Sequence, residues 1–294
     1  MHGDCDENKD YRYILSGSSD FLLMQNISQT LAGRVAVTRL LPLSISELKE
    51  DANIDTNTLM WKGFYPAVWG DGKSPDNVYD SYVSTYLQRD VRQILNIKDL
   101  SLFQKFLTIV ASRVGNVFIA SSIASELGVD YKTIQSWMSI LETSYTAFLL
   151  QPFHRNIGKR LTKTPKIYFY DIGLVCHLLG IENEQHIKNH PLRGAVFENM
   201  VVCEMLKRRY NKGLKSNLYF YRDQSAEVDV IQEEAGSIKA YEIKSAERFN
   251  QEFTKSLSYV QKLLGDEISS SYIIYSGEEE MKFKNFSLIN YHNL

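Results

Sequence analysis

The chain has 294 residues, of which 44% are hydrophobic and 23% are charged, the balance of a folded globular protein. Its length suggests about two domains, and its composition excludes a disordered chain, a collagen-like repeat and a low-complexity filament. The formal net charge of −2 gives no overall attraction to nucleic acid. Any contact with nucleic acid must therefore come from a local basic patch.

The N-terminal residues and the cysteines indicate a cellular compartment. The first ten residues are polar and acidic, and they lack the apolar region of a signal peptide. No apolar run approaches the ~18 residues that a membrane-spanning helix needs. Cys5, Cys176 and Cys203 are too widely spaced for a disulfide framework or a zinc ribbon. We therefore expect a protein of the reducing cytoplasm that has no membrane association.

The first hundred residues predict short elements of both kinds. Alternation and capping residues predict strands over 11–15 and 35–40 and a helix over 21–30. A further helix is expected to begin at Ser44 or Ser46, because Glu47 lies at a capping-box distance from Ser44. After a loop rich in Gly, Pro and Asp, a long helix is predicted over 76–95. One or two strands with several helices are too few for a complete α/β domain.

Residues 100–152 predict three helices followed by a strand. The helices are expected over 102–114, 123–127 and 131–143, and Ser121 or Ser122 and then Asp130 are the expected caps. Strands are expected over 147–152 and 166–170. Two helices joined by a turn of about three residues that contains Gly are typical of a helix-turn-helix. With the third helix and the two-stranded ribbon, the pattern predicts a winged helix.

A basic loop separates the two strands of this ribbon, at the position of the wing. It carries five basic residues and no acidic one: Arg155, Lys159, Arg160, Lys163 and Lys166. Clustered positive charge suffices to bind a phosphate backbone, and the helix over 131–143 offers polar side chains near its start, where base edges are read. The loop therefore predicts contact with DNA. The alternative is a solvated loop beside a helix that packs against another domain or a protein partner.

Residues 171–294 alternate between helices and strands. Helices are predicted over 194–210 and 249–264, and strands over 218–221, 227–231, 238–244 and 272–275. This order predicts a three-layer α/β unit. The basic residues at 207–215 are interpreted as favourable charge near a helix C-terminus.

The strands at 227–231 and 238–244 bring two carboxylates together. If the hairpin turns at Ala235 and Gly236, the numbers of paired residues sum to 471, and Asp229 lies opposite Glu242. Because side chains alternate along a strand, Glu242 and Lys244 share one face. The opposite face is expected to hold the apolar residues Val228, Val230, Tyr241 and Ile243.

Two facing carboxylates repel each other, and a divalent cation relieves that repulsion because carboxylate oxygens are the ligands that Mg²⁺ prefers. Lys244 could stabilise a developing oxyanion or help to orient a water molecule. This combination outlines a site for phosphodiester hydrolysis. The alternative is a salt-bridge ladder in which Lys244 neutralises both acids on a solvated face.

Four of these residues carry a resemblance to a known fold. Glu198 on the helix, Asp229, and Glu242 with Lys244 resemble the PD-(D/E)xK pattern of restriction-endonuclease-like domains. The resemblance implies that Asp229 and Glu242 bind Mg²⁺, that Lys244 assists the attacking water and that Glu198 completes the site. No proline precedes Asp229, a departure that the fold commonly tolerates.

Longer segments resemble a family of bacterial and archaeal P-loop AAA-type ATPases. The segment YILSGSSDFLLMQNISQTLAGRVAVTRLLPLSISEL resembles the end of the ATPase domain and its lid. The segments KTPKIYFYDIGL, GAVFENMVVCEML, YRDQSAEVDVI and YEIKS resemble the C-terminal domain of that family. The resemblance implies an ATPase-domain remnant with lid helices over 1–99, a winged helix over 100–170 and a restriction-endonuclease-like domain over 171–294.

The nucleotide-binding loop of that family, G-x-x-x-x-G-K-[ST], is not found in this sequence. The chain resembles a member without its N-terminal ~100 or more residues, the part that carries this loop. By family position, Ser16 or Ser18 would sense the γ-phosphate of ATP, and Arg34 would be a phosphate-sensing arginine. Without the loop we interpret them as a capping serine and a surface or packing arginine, and we expect ATP binding only if the missing region is supplied.

These observations predict a mixed α/β protein that associates with DNA and carries a Mg²⁺-dependent nuclease-like site at Glu198, Asp229, Glu242 and Lys244. The alternative is a non-catalytic protein-interaction module or a decayed remnant of an ATP-binding protein.

Overall fold

A computed structural model describes residues 38–48, 54–87, 100–154 and 163–294. These residues form a mixed α/β architecture with ten α-helices and two β-sheets, as the sequence predicted. The elements predicted over 11–15 and 21–30 lie outside the described residues, together with Ser16 and Arg34. The same holds for most of the basic loop, namely Arg155, Lys159 and Arg160.

The first described segment contains a single short helical turn. Residues 38–40, the described end of the strand predicted over 35–40, have no regular secondary structure, and a 3₁₀ helix covers Ile45–Leu48. Ser44 donates its backbone N–H and its hydroxyl to Glu47 Oε2, at 2.7 Å each. The expected side-chain pairing of Ser44 with Glu47 is therefore present.

Three short helices follow. They are α1 (Thr56–Lys62), α2 (Pro66–Trp69) and α3 (Pro75–Ser81). The helix predicted over 76–95 begins one residue earlier than expected and continues as a π-helix over Tyr82–Leu87. Its remainder, from residue 88, lies outside the described residues.

The next unit has three helices and a two-stranded sheet. Its elements are α4 (Leu100–Ser112), α5 (Ala120–Leu127), α6 (Tyr131–Thr143), β1 (Ala147–Leu150) and β2 (Lys166–Phe169). The strands are antiparallel. Asp130 caps α6 by accepting the N–H of Lys132 at 2.7 Å, as predicted. Helix α5 ends at Leu127 as predicted, but its predicted start and cap are wrong. The helix begins at Ala120, and its N-cap, Ile119, has no side chain that can accept a hydrogen bond.

The remaining residues build the larger sheet and its helices. The helices are α7 (Ile172–Leu178), α8 (Glu184–Asn189), α9 (Arg193–Tyr210) and α10 (Lys255–Leu264). The strands are β3 (Leu218–Arg222), β4 (Glu227–Glu234), β5 (Ser237–Lys244), β6 (Ile268–Tyr275), β7 (Met281–Lys282) and β8 (Ser287–Asn290). Short 3₁₀ helices cover Gln251–Thr254, Gly265–Glu267 and Tyr291–Asn293. The sequence predicted α9 and β3 to β6, but not α7, α8, β7 or β8.

The strand order of this sheet is β3-β4-β5-β6-β8-β7. The β3–β4 and β4–β5 pairs are antiparallel, whereas β5–β6 and β6–β8 are parallel. Helix α9 packs against β5, and α10 packs against β4, β5 and β6. Tyr241 and Ile243 join one apolar cluster with residues of α9, and Ala240 joins another with Leu257 and Val260 of α10. The sheet therefore buries both of its faces against helices.

None of the helices in the described part of the chain has the length and the apolar character needed to cross a lipid bilayer.

Candidate functional site

The β4–β5 hairpin has the predicted register. Glu234 pairs with Ser237 across a two-residue turn, in which Gly236 takes a positive φ of 84°. The pairing then runs to Val230–Tyr241, so that the residue numbers keep the sum of 471. Positive φ at a two-residue hairpin turn favours Gly, which explains why the chain reverses here.

A β-bulge shifts the pairing of β4 with β3 near the start of β4, at the end away from the hairpin turn. Tyr219 pairs with Ile231, but Tyr221 pairs with Val228, so β4 advances by one residue more than β3 between the two pairs. An inserted residue reverses the alternation of side chains. Val228 accordingly packs with the α10 cluster, whereas Val230 packs with the α9 cluster. The prediction that Val228 shares a face with Val230, Tyr241 and Ile243 is therefore wrong.

Asp229 lies at this bulge, where β4 leaves β5. The ladder between the two strands ends at Val230–Tyr241, and the N–H of Ile243 donates to Asp229 Oδ2 at 2.7 Å. The Asp229 side chain is thus held against the backbone of β5, and the residue is 7% exposed.

Lys244 lies within contact distance of both other predicted residues of the hairpin. Lys244 Nζ lies 2.6 Å from Glu242 Oε1 and 3.8 Å from Asp229 Oδ2. Glu242 is 6% exposed, whereas the Lys244 side chain is 33% exposed. The lysine therefore bridges two buried carboxylates and remains partly open to solvent.

Glu198 approaches the same region from α9. Its Oε1 accepts a hydrogen bond from the Tyr168 hydroxyl at 2.5 Å and lies 3.3 Å from Lys166 Nζ. The negative charge of Glu198 raises the pKa of Glu242, and the negative charge of Asp229 raises the pKa of Glu198. The structure therefore brings all four predicted site residues into one electrostatic cluster.

Lys166, which was predicted to belong to the basic loop, is also a member of this cluster. It is 2% exposed, and its ammonium forms ion pairs with Glu198 and with Glu227 Oε1. The strand begins at Lys166 as predicted, but the prediction that Lys166 belongs to an exposed basic loop is wrong, because its side chain is buried. Glu227 also contacts Arg222, whose Nε lies 3.3 Å from its Oε2. The apolar run that follows Lys166 (Ile167–Phe169) was the sequence signal for its burial.

Two carboxyl groups of the cluster, those of Glu198 and Glu242, have raised pKa values. Burial, followed by the charge of Asp229, raises the pKa of Glu198 to about 7 and that of Glu242 to about 8. Burial works against the charge of Lys166 and Lys244, but the surrounding carboxylates outweigh it and raise the pKa of both lysines. Both lysines are therefore cations at neutral pH. Glu198 and Glu242 retain protons there that an added cation would displace.

One oxygen of the cluster lacks a partner. Glu242 Oε2 is buried without a hydrogen bond, while Oε1 of the same carboxylate contacts Lys244. Within the described ranges, no group of three or more His, Cys, Asp or Glu side chains is arranged to hold a metal ion. Mg²⁺ often uses only one or two carboxylates and fills its other positions with water and substrate phosphate. Asp229 and Glu242, with its unpaired oxygen, are two carboxylates of the number that such a Mg²⁺ site uses.

The predicted DNA-contacting surface is described only in part. Lys163 is exposed at the end of the basic loop. At the start of α6, Tyr131, Lys132 and Gln135 are exposed, whereas Ile134 is buried in the core. The polar face expected to read base edges is therefore open to solvent.

Comparison with protein families gives three matches in chain order. An AAA domain model matches residues 3–49. Two domains of unknown function follow, DUF8612 over residues 53–185 and DUF4143 over residues 193–294. No solved structure matches the chain.

Curated relatives come from bacteria and an archaeon, and all are uncharacterized proteins. One from Mycobacterium tuberculosis is 29% identical over 273 residues, which cover 91% of this chain and 59% of the relative. One from Haemophilus influenzae is 22% identical over 241 residues, covering 76% of this chain and 57% of the relative. One from Methanocaldococcus jannaschii is 22% identical over 244 residues, covering 75% and 52%. The chain thus spans less than two thirds of the length of these relatives, and the AAA and DUF4143 matches support its resemblance to an AAA-ATPase-like family.

Proposed function

We propose that this chain carries a Mg²⁺-dependent phosphodiester-cleaving site that acts on DNA, within an AAA-ATPase-like protein. The observation that carries this proposal is the convergence of Asp229, Glu242 and Lys244, in which one buried oxygen of Glu242 has no partner. Leaving a buried oxygen without a hydrogen bond costs about 1–3 kcal/mol. A role as a salt bridge alone does not explain this cost, whereas a missing ligand does.

Asp229 and Glu242 are the residues that would hold the cation. When bound there, Mg²⁺ would polarise a phosphoryl oxygen and lower the pKa of a water molecule. The hydrogen bond from Ile243 N–H to Asp229 Oδ2 fixes one of these carboxylates before any ligand arrives. A fixed ligand loses less conformational entropy on binding, which favours the cation.

Lys244 would contribute electrostatically. Its carboxylate neighbours raise its pKa, so it stays protonated and cannot accept a proton from water near neutral pH. Its side chain is one-third exposed and can therefore reach a phosphate placed at the surface of the site. A fixed cation at this place stabilises the negative charge that develops on the phosphate during cleavage.

DNA association is the second part of the proposal. It is supported by the three helices and two-stranded sheet of residues 100–169, by the exposed start of α6 and by the basic composition of the 154–166 loop. In a winged helix this arrangement places the second helix of the helix-turn-helix in the major groove and the wing along the phosphate backbone.

Cleavage is tested on supercoiled, linear duplex and single-stranded DNA, with Mg²⁺ or Mn²⁺ and with a chelator. We expect cleavage that requires the cation and is abolished in Asp229→Asn and Glu242→Gln. Lys244→Ala is expected to slow it by about 10²–10³-fold, as for the removal of one charge-stabilising donor. Glu234→Gln is the matched control, because Glu234 lies on the same hairpin but pairs with Lys239 near the turn.

Cleavage that persists unchanged in both Asp229→Asn and Glu242→Gln would come from a contaminant and contradict the proposal. If no DNA is cleaved while the protein still binds DNA, the non-catalytic interaction module becomes the better description.

DNA association is tested by the dependence of affinity on salt. Replacing Lys159, Arg160 and Lys163 with Ala is expected to lower the slope of log affinity against log salt by about 0.9 for each phosphate that these side chains neutralise. Fluorescence anisotropy with a labelled duplex at several salt concentrations measures this slope. An unchanged slope would exclude the loop from DNA contact and favour a protein partner.

A further inference from the structure

Lys166 enters the acidic cluster from outside the six-stranded sheet. It belongs to β2 of the two-stranded sheet, and an isolated bridge also pairs it with Val117. Its ammonium lies 5.5 Å from the centre of the Phe220 ring and forms ion pairs with Glu198 and Glu227. At 2% exposure, this cation is held among side chains of the protein.

The two lysines of the cluster serve different pairs of carboxylates. Lys244 contacts Asp229 and Glu242, whereas Lys166 contacts Glu198 and Glu227. The cluster therefore has two sides, each with two carboxylates and one ammonium. The two sides differ in access to solvent, because the Lys244 side chain is 33% exposed and that of Lys166 is 2% exposed.

The unit that supplies Lys166 also covers its side of the cluster. Gly115 follows α4 with a positive φ of 74°, and a Cβ atom placed there would lie 3.6 Å from Glu198 Oε1. Gly115 N–H donates to the carbonyl of Ile167, next to Lys166. This hydrogen bond joins the turn at Gly115 to the strand that carries Lys166, and both lie next to Glu198.

We propose that Lys166 is a built-in cation that occupies the Glu198–Glu227 side of the cluster, in the place that a second divalent cation would need. This inference rests on the proposed function, in which a divalent cation binds at Asp229 and Glu242. Many phosphodiester-cleaving sites use two divalent cations about 3.5–4 Å apart. Here an ammonium takes one of the two places, so the chain binds one divalent cation. Lys166 is a positioning residue, since it holds Glu198 and Glu227 and does not reach solvent.

The test is to count bound Mn²⁺ per chain, by titration calorimetry and by the electron paramagnetic resonance signal of free Mn²⁺. We expect one Mn²⁺ in the unaltered protein and one more in Lys166→Met, which removes the charge and keeps an unbranched side chain. Lys166→Arg keeps the charge and is expected to keep the unaltered count.

Lys207→Met is the matched control for the removal of a buried lysine. Lys207 is also 2% exposed, but its ammonium donates to the carbonyl of Leu43 and faces the ring of Phe64. We expect Lys207→Met to lower the Tm without changing the Mn²⁺ count. If Lys166→Met does not fold, Lys166→Gln keeps an N–H donor without the charge and is judged by the same count.

If Lys166→Met or Lys166→Gln folds and binds no more Mn²⁺ than the unaltered protein, the inference is overturned. Failure of the proposed function is recognised separately, because the unaltered protein would then bind no Mn²⁺. In that case a gain of one Mn²⁺ in Lys166→Met or Lys166→Gln supports the inference, and no gain in these variants overturns it.

Discussion

The carboxylate of Asp171 accepts hydrogen bonds from Phe64 N–H at 2.6 Å, Leu174 N–H at 3.0 Å and the Tyr79 hydroxyl at 2.7 Å. The carboxylate of Glu242, buried to a similar extent, contacts one lysine and leaves its Oε2 unpaired. Both side chains are acidic groups removed from water. They differ in what surrounds them, since Asp171 meets neutral donors and Glu242 meets other charges.

This difference separates a structural acid from a candidate functional one. The neutral groups that donate to Asp171 come from the loop after α1, from α3 and from the start of α7, so its carboxylate joins these three parts of the chain. The charges around Glu242 leave an excess of carboxylates over lysines, which only an added cation or protons can offset. The first arrangement is complete in the protein alone, whereas the second would be completed by the cation of the proposed function.

The largest effect is expected for Asp171→Ala. Three donors would be left without their acceptor, and each unpaired buried group costs about 1–3 kcal/mol, so the free energy of unfolding is expected to fall by several kcal/mol. Urea unfolding followed by tryptophan fluorescence measures this decrease. Any Mn²⁺ binding by the folded fraction is expected to persist. A decrease below about 1 kcal/mol would contradict the structural role of Asp171.

The next effect is a pH dependence that belongs to the acidic cluster. The pKa of Glu242 in the folded protein is about 8, above the ordinary value of a glutamate. Its contribution to stability is therefore fully present below the ordinary pKa and is lost as the pH rises towards about 8, because the unfolded chain releases its proton first. Without divalent cations, we expect the free energy of unfolding to fall by a few kcal/mol between about pH 5 and about pH 8, at about 1.4 kcal/mol per pKa unit.

Glu242→Gln isolates this contribution, since an amide does not titrate. The variant is expected to lose less stability than the unaltered protein over the same pH range, and to be the more stable of the two at the upper end of that range. Glu234→Gln, on the exposed part of the hairpin, is the control. Parallel pH profiles for the unaltered protein and Glu242→Gln would show that this carboxyl group keeps an ordinary pKa.

A cation-dependent stabilisation is expected to be smaller. Mg²⁺ or Mn²⁺ at about 100 times its Kd would stabilise the folded protein by about 2.7 kcal/mol through mass action. Asp229→Asn is expected to abolish the resulting rise in Tm, because it removes one of the two carboxylates. Asp171→Asn is the comparison, and its Tm is expected to rise with the cation as in the unaltered protein. An equal rise in Asp229→Asn would place the cation elsewhere.

The smallest effect is expected at the rim of the cluster. Arg222 contacts Glu227 at 3.3 Å, but their side chains are 53% and 35% exposed. Exposed ion pairs contribute about 0–1 kcal/mol. Arg222→Gln is therefore expected to change the free energy of unfolding by less than about 1 kcal/mol and to leave the Mn²⁺ count unchanged. If denaturant unfolding shows a larger change in the free energy of unfolding, the exposed Arg222–Glu227 pair contributes to the stability of the acidic cluster.

The sequence predicted those features that depend on neighbouring residues. The cap of α6 at Asp130 follows from local chemistry, and the β4–β5 register follows from a two-residue turn with alternating apolar residues. That register places β4 beside β5, where Lys244 contacts both Asp229 and Glu242. The burial of Lys166 depends on Glu198 and Glu227, which are far from it in the chain, so the apolar run after it could suggest burial but not its partners. Nor could the hairpin alone reveal the bulge, which arises from the pairing of β4 with β3.

Helix α9 is buried over eleven of its eighteen residues, and it carries Glu198 near one end and Lys207 near the other. The apolar cluster around it extends from Leu41 to Tyr291 and so crosses all three matched family segments. Amides in such a helix exchange with solvent only when the whole structure opens. Hydrogen exchange should therefore be slowest along α9, and the described part of the chain should unfold in one cooperative transition.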